Sequence, residues 1–286
     1  MTIMKKVIVG VKQRLLTQKL NRTPEDSMVM YNHEQDRQYT KDGDEGSLAI
    51  LYEYMINSLL KVSPTKGDAL DICCGSSQLL CKLANQLPNV NFTGLDLSPN
   101  MLKFAKKSRE QYGVNNVGFQ EGSMFDLDKI FDKKFDLITW HLALHHCDTK
   151  EQVITVFNQI AKLAKPDATV FIFDIIRPKT DQLAIQYSDI FNTRQGNWYY
   201  DDSLASYRAA FSFEEMEEML KASDLKSYQH VQPWVANFHQ MISISKRVNI
   251  DLKPASNLKH LWQKVDYKLL KLTFPNGLSK SGHELF

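Results

Sequence analysis

Between residues 69 and 97 the chain alternates short apolar runs with a helical stripe. Residues 69–73 form an apolar run that ends in a turn of small residues, Cys74-Gly75-Ser76-Ser77. Leu79, Leu80, Leu83, Ala84 and Leu87 then recur at the spacing of one helical face, and Pro88 closes the pattern. A second apolar run, residues 92–97, carries Asp96 near its end. This is a β-turn-α-β unit with a carboxylate toward the tip of each strand, Asp71 and Asp96. In open α/β sheets ligands bind outside the carboxyl ends of the strands, and a carboxylate ending the second strand suits the paired hydroxyls of a ribose.

The alternation continues downstream. Ser98 caps a helix with Pro99 at its first position and Met101, Leu102, Phe104 and Ala105 as apolar positions. Residues 117–122 and 135–140 read as a third and a fourth strand. Ile154, Phe157, Ile160, Ala161 and Ala164 mark a helix ended by Pro166. Residues 168–176 are apolar and β-branched, as a strand buried on both faces requires. Residues 177–211 interrupt the pattern with Tyr187, Trp198, Tyr199, Tyr200, Tyr207 and Arg208. A capping box, Ser212 to Glu215, opens a further helix, and runs at 228–231 and 238–245 are joined around Pro233. Upstream, residues 48–60 read as a helix leading to Pro64 and Gly67.

A dinucleotide fold needs three glycines so that the backbone can approach a pyrophosphate, and here Gly75 stands alone in the turn. No Gly-Lys-Ser/Thr follows the strand, so a phosphate-cradling P-loop is excluded. A ribose-bearing cofactor without a pyrophosphate remains. On Leu70-Asp71-Ile72-Cys73-Cys74-Gly75-Ser76-Ser77 and Thr93-Gly94-Leu95-Asp96-Leu97-Ser98-Pro99-Asn100-Met101, the sequence resembles the class I S-adenosylmethionine-dependent methyltransferases. Their first motif runs Leu-Asp-Ile-Gly-Cys-Gly-x-Gly, and Ser77 departs from its last glycine. The double cysteine is similar to the version in quinone-ring C-methyltransferases.

The resemblance implies a Rossmann-like, doubly wound α/β sheet of seven strands with the last antiparallel. It also implies a helical lid before the core, so that residues 1–60 read as an N-terminal arm and lid and 61–246 as the core with a substrate-wall insertion at 177–211; residues 247–286, a basic amphipathic C-terminal extension, lie outside the resemblance. Its implied cofactor is S-adenosylmethionine, held by Asp71, Cys73, Gly75, Asp96, Leu97, Met101, Ser123, Met124 and His141. Ser123 and Met124 follow the third strand, where the family meets the adenine ring.

The 286 residues carry a formal net charge of +2, with 43% hydrophobic and 24% charged residues, ordinary values for a globular chain. That balance argues against nucleic-acid binding over the whole surface. Residues 1–20 hold Lys5, Lys6, Lys12, Arg14 and Lys19 and no acid, which reads as a mobile or surface-lying arm. Its apolar run is too short for a signal-peptide core, and no stretch approaches the roughly twenty apolar residues of a membrane span. Cys73, Cys74, Cys81 and Cys147 form no framework and read as reduced, buried thiols of a cytoplasmic protein.

The fourth strand ends in Thr139-Trp140-His141-Leu142-Ala143-Leu144-His145-His146-Cys147-Asp148. A sulfonium methyl donor is already activated, so the protein chiefly supplies geometry and, for a hydroxyl, phenol or acidic carbon, a base. His145 or His146 is the expected base, and Arg177 or Arg208 the group that orients an acidic acceptor. Hydrogen-bonded structural histidines are the competing expectation. A metal at His141, His145 and Cys147 is set aside, since no second ligand cluster accompanies them. Pocket walls are expected from the segment around Tyr31 and Tyr39, the histidine loop and residues 177–208. The expected acceptor is a small molecule methylated at O, N or C; RNA or protein methylation and a non-catalytic cofactor-binding subunit are the alternatives. Leu258, Leu261, Trp262, Val265, Leu269 and Leu272 share a helical stripe, with Lys259, Lys264, Lys268 and Lys271 elsewhere. Such a helix can pack on the domain, lie on a membrane or bind a partner.

Overall fold

The computed structural model describes residues 3–26, 46–191, 198–233, 237–246, 258 and 260–273. Seven strands form one sheet: β1 (Gly67–Ile72), β2 (Val90–Asp96), β3 (Val117–Glu121), β4 (Phe135–His141), β5 (Ala164–Ile175), β6 (Gln229–Val231) and β7 (His239–Ile244). Their order is β3-β2-β1-β4-β5-β7-β6. The first five strands pair in parallel, and β7 is antiparallel to β5, with Ile175 opposite His239. This is the doubly wound sheet with an antiparallel last strand that the motifs imply.

Among the described residues the α-helices are α1 (Ile3–Leu15), α2 (Ser47–Val62), α3 (Gln78–Gln86), α4 (Pro99–Tyr112), α5 (Leu127–Ile130), α6 (Lys150–Leu163), α7 (Asp181–Phe191), α8 (Trp198–Ala209), α9 (Phe213–Ala222) and α10 (Leu261–Thr273). Side chains of the central strands alternate between two cores. Ala69, Leu137, Phe171 and Phe173 pack with α2, α3 and Leu102 on one face. Leu70, Ile138, Trp140 and Ile172 pack with α6 and α9 on the other. Burial on both faces is why these strands read as near-continuous apolar runs. Within residues 177–211, α7 and α8 close a third cluster in which Leu183, Tyr187 and Tyr207 meet Val9 of α1.

Two expectations change. The strand after α6 begins at Ala164, two residues before Pro166, so the proline lies inside β5 and does not terminate the helix. Ala164 pairs with Phe135, and the register slips before Thr169 meets Leu137; proline is tolerated at such an irregularity. Of the two readings of the N-terminal arm, mobile or surface-lying, the structure has the second over residues 3–20. Gln13 donates to the Arg177 carbonyl (3.3 Å) and accepts from the Lys179 amide (2.8 Å), fastening α1 to the insertion.

The tail helix docks as well. Asn57 of α2 donates to the Tyr267 hydroxyl at 2.6 Å, and Tyr267 and Leu270 pack with Ala49, Ile50 and Leu258. Leu261 and Val265, expected on the packed stripe, face outward instead (78% and 38% exposed). Tyr31 and Tyr39 lie outside the described residues.

Candidate active site

The chain leaves β1 in one direction and β4 in the other, which opens a crevice between their tips. Both tips are tightly bent. Cys73 (φ 56°), Ser77 (φ 57°) and Leu142 (φ 49°) adopt left-handed backbone angles although each carries a side chain. Such a residue costs of order 1–3 kcal/mol and persists only where its surroundings over-determine it. Cys73 and Ser77 occupy the glycine positions of the motif, so the loop keeps the glycine conformation without the glycines.

The turn is tied to β2. The Cys74 amide donates to the Leu95 carbonyl at 2.8 Å. A Cβ on Gly94 would come within 2.8 Å of the Cys74 sulfur, which is why β2 carries glycine there. The Gly75 amide donates to Asp96 Oδ2 (2.8 Å) and the Ser98 amide to Oδ1 (2.9 Å). Each Asp96 oxygen thus holds one N–H and keeps a lone pair for a ligand. Burial raises the Asp96 pKa against these hydrogen bonds. Above Gly75 there is open space, with no heavy atom within 4 Å of where a Cβ would stand.

The remaining expected cofactor residues gather around this turn. The Met101 amide donates to Ser98 Oγ (3.3 Å), and Leu97 stands 44% exposed at the β2 tip. The Cys73 thiol lies 3.6 Å from Met124 Sδ, and Ser123 Oγ accepts from the Phe125 amide at 3.2 Å. Beneath the turn, fully buried Asp71 accepts from the Thr139 hydroxyl (2.7 Å) and lies 3.2 Å from His141 Nδ1. Its second oxygen, Oδ2, is buried with no protein partner. Burial would lower the His141 pKa, but the Asp71 carboxylate outweighs it and raises it.

Across the crevice, the loop after β4 carries two carboxylate–imidazole pairs. Asp174 Oδ2 accepts from the His145 amide (2.9 Å), and Oδ1 lies 2.7 Å from His145 Nδ1. Burial opposes a charge on His145, yet Asp174 prevails and lifts its pKa to about 9, so the ring is an imidazolium at neutral pH. His146 Nδ1 lies 2.5 Å from Glu25 Oε2, and Ser206 donates to Glu25 Oε1 at 2.7 Å. Burial pushes Glu25 up, but the His146 hydrogen bond and the two imidazoles pull it down to about 2. The two rings sit 4.3 Å apart, centroid to centroid. Asp202 of α8 joins the group, its pKa pushed to about 6 by burial and by Glu25.

Glu25 and Asp202 were not anticipated from the sequence, nor was Arg22. The Arg22 guanidinium lies 4.0 Å over the Phe211 ring. It donates to the carbonyls of His145, Cys147, Asp148 and Ala209. The segment Arg22-Thr23-Pro24-Glu25 is therefore a clasp on the histidine loop, and its polar composition gave no sign of its partners. Arg177 is buried on Glu215 (2.7 Å) and the Ala210 carbonyl (3.0 Å), and Arg208 pairs with Asp181 at 2.8 Å. Each of these guanidiniums already has its carboxylate.

Residues 65–242 match the family described as "Methyltransferase domain". The chain belongs to this methyltransferase family. The demethylmenaquinone methyltransferase of Lactobacillus johnsonii is 31% identical over 134 residues, 46% of this methyltransferase and 53% of the relative. A 2-phytyl-1,4-naphtoquinone methyltransferase of a Nostoc species matches at the same 31% over the same shares of 46% and 53%. The chain thus spans about half the length of the curated relatives it matches. Among solved structures, the plantazolicin methyltransferase BamL, in complex with a triazolic desmethylPZN analog and SAH, superposes with a TM-score of 0.56. It is 20% identical, over 71% of this methyltransferase and 73% of that chain. A SAM-dependent methyltransferase from Aquifex aeolicus gives a TM-score of 0.54 at 14% identity, over 75% and 98%. These likenesses show the fold.

Proposed function

We propose that this methyltransferase transfers the methyl group of S-adenosylmethionine to a small organic acceptor, with His146 as the base. The observation that carries this is the pairing of His146 with Glu25, near enough to the Gly75–Asp96 turn for the imidazole to act on the Asp96 carboxylate. The residues fit the cofactor. Asp96 retains lone pairs for ribose hydroxyls, Asp71 Oδ2 is a buried acceptor without a donor, and the space over Gly75 is open. When bound, S-adenosylmethionine supplies a methyl group already activated by a sulfonium.

The protein's own work is placement and proton removal. Glu25 fixes the His146 ring through Nδ1 and leaves Nε2 to accept a proton from the acceptor. His145 plays a different part. As an imidazolium bound to Asp174 through side chain and backbone, it pins the loop. A polyanionic acceptor is disfavoured, because Glu25, Asp174 and Asp202 crowd two imidazoles. The quinone methyltransferases among the relatives support a small acceptor.

Glu25, His145 and His146 each place one ligand atom within 4.8 Å of the others, a spacing a metal ion can bridge. The 2.5 Å contact between His146 and Glu25 and the 2.7 Å contact between His145 and Asp174 instead suit shared protons. Prolonged dialysis against a chelator should leave turnover unchanged. The direct test incubates the protein with radiolabelled S-adenosylmethionine and fractionated cell extract. Label is expected in the small-molecule fraction, and label confined to RNA or protein would refute the proposal.

A further inference from the structure

We propose that the outer faces of α1 and α10 together form a surface that docks on an anionic lipid bilayer. Among the described residues six large apolar side chains are exposed: Ile8, Val11, Leu15, Leu97, Leu261 and Val265. Leu97 belongs to the β2 tip at the active site. The other five lie on α1 and α10, and the ion pair between Lys6 and Asp266 (2.8 Å) links those two helices.

Both helices are anchored by their opposite sides. Val9 and Gln13 of α1 are buried, as is Gln263 of α10, whose Tyr267 packs against α2. The outward residues are therefore held in place and are not the product of fraying. On α1 they run Lys5, Ile8, Val11, Lys12, Leu15, and on α10 Leu261, Lys264, Val265, Lys268, Lys271. Each set keeps the three- and four-residue spacing of one helical face.

The charge is of one sign. No acid occurs on α1, and Asp266, the carboxylate of α10, is engaged by Lys6. A solvated helix face ordinarily mixes both signs and carries few large apolar groups. Lysines interleaved with Leu, Ile and Val suit a lipid interface. The apolar groups enter the boundary between headgroups and acyl chains, and the long lysine stems let their ammonium groups reach lipid phosphates. Two short helices with a handful of cations give reversible, salt-sensitive attachment. This surface is independent of the methyl-transfer proposal, and either can fail alone.

The test is co-sedimentation of the full chain with vesicles of phosphatidylcholine containing phosphatidylglycerol, and with vesicles of phosphatidylcholine alone. Binding is expected on the anionic vesicles only, lost at high salt. Leu15 and Leu261 are 76% and 78% exposed, so Leu15→Glu combined with Leu261→Glu should leave the melting temperature unchanged. That variant should bind anionic vesicles about tenfold less. Retention equal on both vesicle types, no retention on either, or a folded double variant that binds like the parent would overturn the proposal. So would a protein that ignores vesicles but self-associates through this face in sedimentation velocity.

Discussion

His146 and Glu25 meet at 2.5 Å across 121 residues of sequence. That contact turns an N-terminal segment with no regular secondary structure into part of the crevice wall. Glu25 leaves one nitrogen of the ring available, and Arg22, three residues earlier, fixes the loop on which the ring is carried.

Replacing His146 by alanine should reduce turnover about a hundredfold or more, the usual contribution of a positioned base. Cofactor affinity should stay constant. Glu25→Gln should lower turnover less, by about tenfold, because the amide can still orient the ring. Single-turnover measurements beside calorimetry separate the two quantities, and a His146→Ala enzyme of normal turnover removes it as base.

Asp96→Ala should weaken S-adenosylmethionine binding about ten- to hundredfold, since hydrogen bonds to a charged acceptor are each worth roughly 1.5–3 kcal/mol. The same change releases the Gly75 and Ser98 amides that the carboxylate now holds. Isothermal calorimetry reads the loss directly, and unchanged affinity would take Asp96 out of the site.

Arg22→Ala removes a half-buried guanidinium whose donors satisfy carbonyls on the histidine loop and at the end of α8. A loss of about 1–3 kcal/mol in unfolding free energy is expected, the range for hydrogen bonds made by a charged group that is partly exposed. Arg22→Lys should not restore it, because an ammonium cannot span the carbonyls that the planar fork reaches. Hydrogen exchange across residues 144–148 should quicken in both variants.

The His145–Asp174 pair predicts a stability change on the alkaline side. The folded pKa of about 9 lies above the ordinary 6.5, so the stabilisation is complete below pH 6.5 and lost as pH rises through 9. The difference corresponds to about 3 kcal/mol. Glu25, held at about 2 against 4.5, acts in the opposite sense: its contribution is present above pH 4.5 and lost as pH falls through 2. Melting temperatures from pH 6 to 10 should fall for the parent and lose that component in His145→Gln. A parallel decline in both would place the titration elsewhere.

The strands of the sheet were legible in the chain itself, and its doubly wound form through the family that its motifs resemble. Apolar runs of strand length, the capping residues Ser98 and Ser212, and the carboxylates at 71 and 96 act over short stretches of chain, where neighbours in sequence are neighbours in space. Even there, the left-handed angles of Cys73 and Ser77 emerged only with the fold, because sequence signals mark such angles chiefly through glycine. The opposite side of the crevice was decided by tertiary structure. His145 and His146 were visible as candidates, but their carboxylates arrive from β5 and from a segment near the N-terminus, at separations no local pattern encodes. The outward turn of Leu261 and Val265 likewise could not be read from their helical stripe. Periodicity shows that apolar residues share a face, and only the packing of Tyr267 and Leu270 on α2 determines which face is covered.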